Sequence, residues 1–84
     1  MNKFTEEEVL KIIEEALKLE KGAININSNS NNVSEWDSLG HLNILMSLDK
    51  RLDGKASGLS ELAKAMSVKK IISVLKNNNF YFNK

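Results

Sequence analysis

A serine at the start of a predicted helix is the residue with the clearest chemical potential in this sequence. Ser38 follows Asp37, whose carboxylate is a good N-cap because it accepts backbone N–H groups and suits the positive end of the helix dipole. A hydroxyl in the first helical turn is exposed, and the backbone N–H groups there favour a covalently attached phosphate. The residue types therefore indicate a serine that can carry a phosphate ester.

A second chemistry is open to the same serine. His41, the only histidine, lies three residues after Ser38, so the two side chains can touch on one helix and act as nucleophile and base. No oxyanion donors are evident in the sequence, however, and an isolated histidine is more often a surface or core-edge residue. We expect no catalytic residue, and a Ser38–His41 enzyme is kept as an alternative.

The size and composition of the chain limit what it can do. Its 84 residues predict one domain, residues 1–84, with a modest core and too little surrounding structure for a deep enclosed active site. The hydrophobic fraction of 42% and the charged fraction of 27% are typical of a soluble globular protein. The chain has no cysteine, so any thiol chemistry must be brought by another molecule.

The apolar runs and the charge pattern argue against membrane and nucleic-acid partners. No apolar run approaches the roughly 20 residues that span a bilayer, and the acidic N-terminal stretch MNKFTEEEVL is unlike a signal peptide, so we expect a cytoplasmic protein. The net charge is only +1, and no basic stripe with interleaved aromatic residues occurs. The sequence also contains no cluster of metal ligands.

Capping residues and helical periodicity predict an all-α domain with four helices. Thr5 and Glu8 form a capping box before the first helix, and Ser67 can cap the last one. Asp53 and Gly54 are expected to end the second helix. The helices are expected from about Glu6 to Lys21, from about Ser38 to Leu52, in a short third segment marked by Leu59, Leu62, Ala63 and Met66, and from Val68 to about Lys76.

The remaining segments are predicted to be irregular. Residues 22–36 are rich in asparagine and serine and predict one long loop, which Ile24, Ile26 and Val33 are expected to fasten to the core. A loop of this length in a small domain is uncommon and often functional. Residues 77–84 are expected to form a frayed C-terminal tail, or their aromatic side chains pack back on the helices; the sequence does not decide between the two.

The second predicted helix is more apolar than one buried face requires. On a helical wheel with Ser38 at zero, one apolar group lies between about 240° and 340° and another between about 40° and 100°. The core stripe consists of Ile44, Leu45, Leu48 and Leu52, and the flank strip consists of Leu39, Leu42 and Met46. We expect the core stripe to face the interior. The flank strip either packs beneath the long loop or the third helix, or is a docking surface beside Ser38.

The order of these elements resembles the acyl and peptidyl carrier protein family. In that family the modifiable serine stands in an Asp-Ser-Leu motif that opens the second of four helices after a long loop, and here the motif is Asp37, Ser38 and Leu39 within WDSLGHLNILMSL. The stretch LSELAKAMSVKKIISVLK is similar to the third and fourth helices of the family. The resemblance covers about residues 5–76 and implies a small four-helix bundle with a long first loop and a short third helix.

The resemblance also implies a function without catalytic residues. A phosphopantetheinyl transferase would attach the 4′-phosphopantetheine arm of coenzyme A to Ser38, between Asp37 and Leu39, using magnesium and releasing 3′,5′-ADP. The thiol of the arm would hold acyl or aminoacyl groups as thioesters for loading and transferring enzymes, and we expect the carrier to be a monomer. The residues expected to meet these enzymes are Leu39, Leu42, Met46 and Asp49.

One departure from the family bears on the pathway. Fatty-acid carriers of this family are strongly acidic along the second helix, whereas the corresponding positions here include Gly40, Asn43 and Lys50, with Asp49 as the main acid on that flank. Steering by negative charge would be weak, which favours a specialised biosynthetic pathway over housekeeping fatty-acid synthesis. A further alternative is an unmodified carrier-like helical module that binds a partner helix through the flank strip.

Overall fold

The computed structural model describes residues 4–54 and 60–81 of the chain. The regular elements of this part are helix α1 (Glu6–Ala16), helix α2 (Ser38–Arg51), a 3-10 helix (Ser60–Lys64) and helix α3 (Val68–Asn77). The predicted all-α class is confirmed. The predicted short third helix is a 3-10 helix, so the described ranges contain three α-helices and not four.

The starts of all three α-helices are capped as the sequence indicated. Thr5 and Glu8 form the predicted capping box, in which the Glu8 amide donates to Thr5 Oγ1 at 3.2 Å and the Thr5 amide donates to Glu8 Oε1 at 3.0 Å. The Asp37 carboxylate caps α2, and Ser67 Oγ caps α3 by accepting from the Lys70 amide at 3.1 Å. Each cap satisfies an amide that has no partner within its own helix.

All three α-helices also end in the same way, with a non-glycine residue in the left-handed region: Lys18 (φ 59°), Asp53 (φ 54°) and Asn79 (φ 63°). The amide of the following residue then donates back into the last turn, as Leu19 does to the Glu14 carbonyl at 2.8 Å. The predicted end of α1 at Lys21 is therefore wrong. The chain turns at Lys18, although Gly22 is the residue that a sequence argument selects as the helix stop.

The long loop after α1 is held at its beginning by a buried carboxylate. Glu14 is only 6% exposed, and its Oε2 accepts from the Gly22 amide at 2.9 Å and from the Ile24 amide at 3.1 Å. Ile24 is buried, and Ile26 and Val33 are partly buried against the core, so the three predicted anchors are confirmed. No local pattern predicts this role of Glu14, because its amide partners lie eight and ten residues further along the chain.

The middle of the loop is fastened to the start of α3. The Val68 amide donates to the Ser28 carbonyl and the Ser30 amide donates to the Met66 carbonyl, each at 3.0 Å. Ser28 is buried at this junction. The loop is therefore tied to α1 at one end and to α3 in its middle, which fixes the direction from which it approaches α2.

The core is formed by the inner faces of the helices together with side chains from the loop. The core stripe of α2 faces inward as predicted, since Ile44, Leu48 and Leu52 are fully buried and Leu45 packs against them. The 3-10 helix contributes Leu62, because its tighter winding turns Leu62 to the interior and leaves Ala63 outside. The buried hydrophobic residues are Phe4, Val9, Ile12, Ile13, Leu17, Ile24, Trp36, Ile44, Leu48, Leu52, Leu62, Ala65, Val68, Ile71, Ile72 and Leu75.

The chain after α3 packs back on the helices as far as the structure describes it. The Phe4 amide donates to the Phe80 carbonyl at 2.7 Å, and Phe80 and Tyr81 are partly buried against the core. Burial, with a smaller contribution from the charge of Glu6, raises the pKa of the Tyr81 hydroxyl. Of the predicted tail at residues 77–84, residues 82–84 lie outside the described residues. Leu59 of the predicted third helix also lies outside them.

No helix within residues 4–54 and 60–81 has the length and the apolar character needed to cross a bilayer.

Candidate functional site

Ser38 is the first residue of α2 and is exposed. Asp37 accepts two hydrogen bonds at the start of the helix: its Oδ1 accepts from the Gly40 amide and its backbone carbonyl accepts from the His41 amide, each at 2.8 Å. The hydroxyl therefore stands at the positive end of a capped helix, in the position that the sequence predicted. This geometry suits a group that is attached through a phosphate and extends into solvent.

Gly40 allows the chain before Ser38 to lie directly against the first turn of α2. A Cβ atom at position 40 would overlap the carbonyl oxygen of Glu35 and would come within 2.8 Å of Leu17 Cδ2. Only glycine fits this close approach without moving the backbone. The sequence analysis noted Gly40 only because fatty-acid carriers are acidic along this helix. Its packing role depends on the path of the loop that ends at Glu35, and the sequence does not predict that path.

The flank strip beside Ser38 is exposed along its whole length. Leu39 is 68% exposed, Leu42 50% and Met46 57%, and these are the large hydrophobic side chains that the structure leaves exposed within its described ranges. The interpretation in which the strip packs beneath the loop or the third helix does not fit these exposures. Three such side chains on adjacent turns of one helix form an apolar surface available to a partner.

The flank strip lies on a part of α2 that carries no carboxylate, ammonium or guanidinium group. Residues 38–48 contain no Asp, Glu, Lys or Arg, and the charged residues of the helix follow at positions 49–51. Asp49 is partly buried and Lys50 is exposed, so opposite charges adjoin the end of the strip. Arg51 is committed elsewhere, because it bonds to Glu8 at 3.1 Å and lies over the Phe4 ring.

His41 is a buried residue whose two ring nitrogens are both bonded. It is 4% exposed; its Nδ1 accepts from Trp36 Nε1 at 3.0 Å, and its Nε2 lies 2.8 Å from the Leu62 carbonyl oxygen. Because an indole N–H can only donate, Nδ1 must be the acceptor, and Nε2 carries the hydrogen that it donates to Leu62. The imidazole is therefore neutral, with its hydrogen on Nε2.

Trp36 was not recognised from the sequence as part of this site. It is 1% exposed, and its ring stacks on that of His41 with centroids 6.2 Å apart and planes inclined by 17°. Trp36 precedes the N-cap Asp37, and His41 is the fourth residue of the helix. These are the two positions of a hydrophobic staple, which is the sequence signal that would have paired them.

The residues described by the structure include no group of three or more acidic or histidine side chains placed to hold a metal ion. Comparisons of the chain with protein-family models, with curated proteins and with solved structures found no significant match.

Proposed function

We propose that this protein is a phosphopantetheine carrier that holds acyl or aminoacyl groups as thioesters and presents them to partner enzymes. The observation that carries the proposal is the exposed Ser38 hydroxyl at the capped start of α2, directly beside the exposed flank strip. The order of helices also supports it, since three α-helices and a 3-10 helix follow one another where a carrier bundle has its four helices.

The residues around Ser38 fit a phosphate-linked arm. The hydroxyl is exposed, the helix dipole favours negative charge there, and the Asp37 carboxylate is already bonded to the Gly40 amide. In the proposed transfer, Ser38 Oγ attacks the phosphorus of coenzyme A that bears the pantetheine, and the bond from that phosphorus to 3′,5′-ADP breaks as the hydroxyl proton passes to a base of the transferase. The arm supplies the thiol that this cysteine-free chain lacks.

The partners proposed are a phosphopantetheinyl transferase and the enzymes that load and unload the thiol. Leu39, Leu42 and Met46 would be buried in these complexes, with Asp49 at the edge of the contact. Because residues 38–48 carry no acidic side chain, recognition would depend on apolar contact more than on attraction to a basic surface. This favours a small set of dedicated enzymes in a specialised pathway. We also propose that the carrier acts in the cytoplasm and as a monomer.

The alternatives make different use of the same surface. A Ser38–His41 enzyme is less well supported, since both His41 ring nitrogens are engaged by Trp36 and Leu62. An unmodified interaction module would use the flank strip without any change at Ser38. A housekeeping fatty-acid carrier would be loaded by fatty-acid enzymes as efficiently as an acidic carrier is.

The decisive experiment is incubation of the purified protein with coenzyme A, magnesium and a broad-specificity phosphopantetheinyl transferase, followed by intact-mass measurement. We expect the wild type to gain one phosphopantetheine group and Ser38→Ala to gain none, with unchanged helix content by circular dichroism. Ser73→Ala, which alters an exposed serine on α3, is the matched control and should be modified normally. A wild-type protein that gains no mass, or a Ser38→Ala variant that gains it, contradicts the proposal.

A further inference from the structure

Two nested hydrogen bonds enclose Ser38 at the entrance of α2. The inner bond joins Asp37 Oδ1 to the Gly40 amide at 2.8 Å, and the outer bond joins Trp36 Nε1 to His41 Nδ1 at 3.0 Å. Both bonds span Ser38 and Leu39, which project outward between them. The inner bond is an ordinary helix cap, whereas the outer bond joins the aromatic side chains of Trp36 and His41.

The outer bond is in turn fixed to a distant part of the fold. His41 Nε2 donates to the Leu62 carbonyl at 2.8 Å, and Leu62 belongs to the 3-10 helix, 21 residues further along the chain. Trp36, His41 and Leu62 are all buried, so these bonds are shielded from competing water. The turn that bears Ser38 is thus attached to the core from outside its own helix.

Only a few side chains can occupy position 41 in this arrangement. The residue must accept a hydrogen bond from the Trp36 indole and donate one to the Leu62 carbonyl at the same time. A neutral histidine does this, and a glutamine can, because its amide has one acceptor and one donor end. A leucine of similar size would leave the buried Trp36 indole N–H without a partner and would remove the link to the Leu62 carbonyl, which would keep only its bond from the Ala65 amide.

We infer that His41 and Trp36 are positioning residues for the modification of Ser38, holding the start of α2 so that the hydroxyl is presented to the transferase in one orientation. The inference rests on the proposed function. Group transfer to a hydroxyl depends on the placement of its oxygen, and a displacement of about 1 Å can reduce the rate on the order of a hundredfold. Loss of the outer bond should therefore slow the transfer step itself.

The kinetic test compares His41→Leu with His41→Gln. With coenzyme A and the same transferase, at a temperature where every variant is folded, we expect His41→Leu to lower kcat on the order of tenfold or more with little change in KM for the carrier. His41→Gln should recover most of the loss. Ile71→Val, a core change in α3, is the control for lowered stability alone and should keep the wild-type kcat.

A second measurement does not depend on the transfer reaction. Nitrogen-15 NMR of the unmodified protein should show His41 with its hydrogen on Nε2 and a slowly exchanging Trp36 indole hydrogen. In His41→Leu the indole and Gly40 amide hydrogens should exchange faster. A wild-type protein that is never modified overturns the proposed function as well, whereas normal kcat in His41→Leu, or a hydrogen on Nδ1, overturns the positioning inference alone.

Discussion

At the scale of single residues, α2 separates apolar side chains that are buried in the core from apolar side chains that stay exposed. Leu48 is fully buried, while Met46, two positions earlier, is 57% exposed. Both residues are apolar, so composition does not distinguish them. Their angular positions on the helix do, because the buried side of α2 is set by its contact with α1 and the 3-10 helix.

This separation predicts opposite effects of two alanine substitutions. Leu48→Ala should lower the free energy of unfolding by about 2 to 5 kcal/mol, because it leaves a cavity in the core. That is a large part of the roughly 4 to 12 kcal/mol expected for a domain of this size. Met46→Ala should lower it by much less and should instead weaken modification by the transferase. Urea unfolding followed by circular dichroism measures the loss of unfolding free energy in each variant. A larger loss in Met46→Ala than in Leu48→Ala would show that the two faces of α2 are wrongly assigned.

At the scale of elements, the long loop is held by contacts from other elements and not by structure of its own. Its beginning is bonded to the Glu14 carboxylate of α1, and its middle pairs with the residues before α3. Its end, at Glu35, lies against Gly40 of α2. The loop therefore links all three α-helices, and its attachment determines the position of the chain that leads into Ser38.

The carboxylate at the start of the loop can be tested directly. Glu14→Ala removes the acceptor of the Gly22 and Ile24 amides, of which the bond to Ile24 is buried and the bond to Gly22 is partly buried. The free energy of unfolding should fall by about 1 to 3 kcal/mol, mainly through the buried Ile24 amide. Amide hydrogen exchange at these two residues should also accelerate. Glu15→Ala, at the exposed neighbouring position of α1, is the control and should have little effect on either measurement. Equal effects of the two substitutions would contradict the assigned role of Glu14.

At the scale of the whole molecule, charge is distributed unevenly along the chain. Residues 1–20 carry six glutamates and three lysines, while residues 60–84 carry five lysines and one glutamate. Residues 38–48, which include Ser38 and the flank strip, contain no Asp, Glu, Lys or Arg. The net charge of +1 thus describes neither end of the chain nor the surface where we propose that partners bind.

A neutral docking surface predicts weak dependence of partner binding on salt. Between about 50 and about 500 mM sodium chloride, kcat/KM for phosphopantetheine transfer should change by less than about threefold, because apolar contact is not screened by ions. A strongly acidic carrier modified by the same transferase is the reference, and its kcat/KM should fall much more over the same range of salt concentration. Leu42→Ala should lower kcat/KM at every salt concentration. A fall of about tenfold with salt, or no effect of Leu42→Ala, would contradict an apolar docking surface.

Local patterns in the sequence were sufficient to predict where the three described α-helices begin and which residues form the two apolar faces of α2. The caps at Thr5, Asp37 and Ser67 each join a side chain to an amide three residues away, so sequence reading finds them. The position of Ser38 at a helix entrance follows from the same local bonds. The two apolar faces of α2 follow from the helical repeat alone.

Contacts between distant residues decided the rest. The end of α1 at Lys18, the burial of Glu14, and the bonds from His41 to Trp36 and Leu62 each depend on which surfaces meet after folding. Whether the flank strip was covered or exposed depended in the same way on the paths of the loop and the 3-10 helix. The sequence by itself determined where Ser38 stands on its helix. Only the tertiary structure decided that its flank is free and its entrance is fixed, because burial is a property of packed elements and not of any one segment.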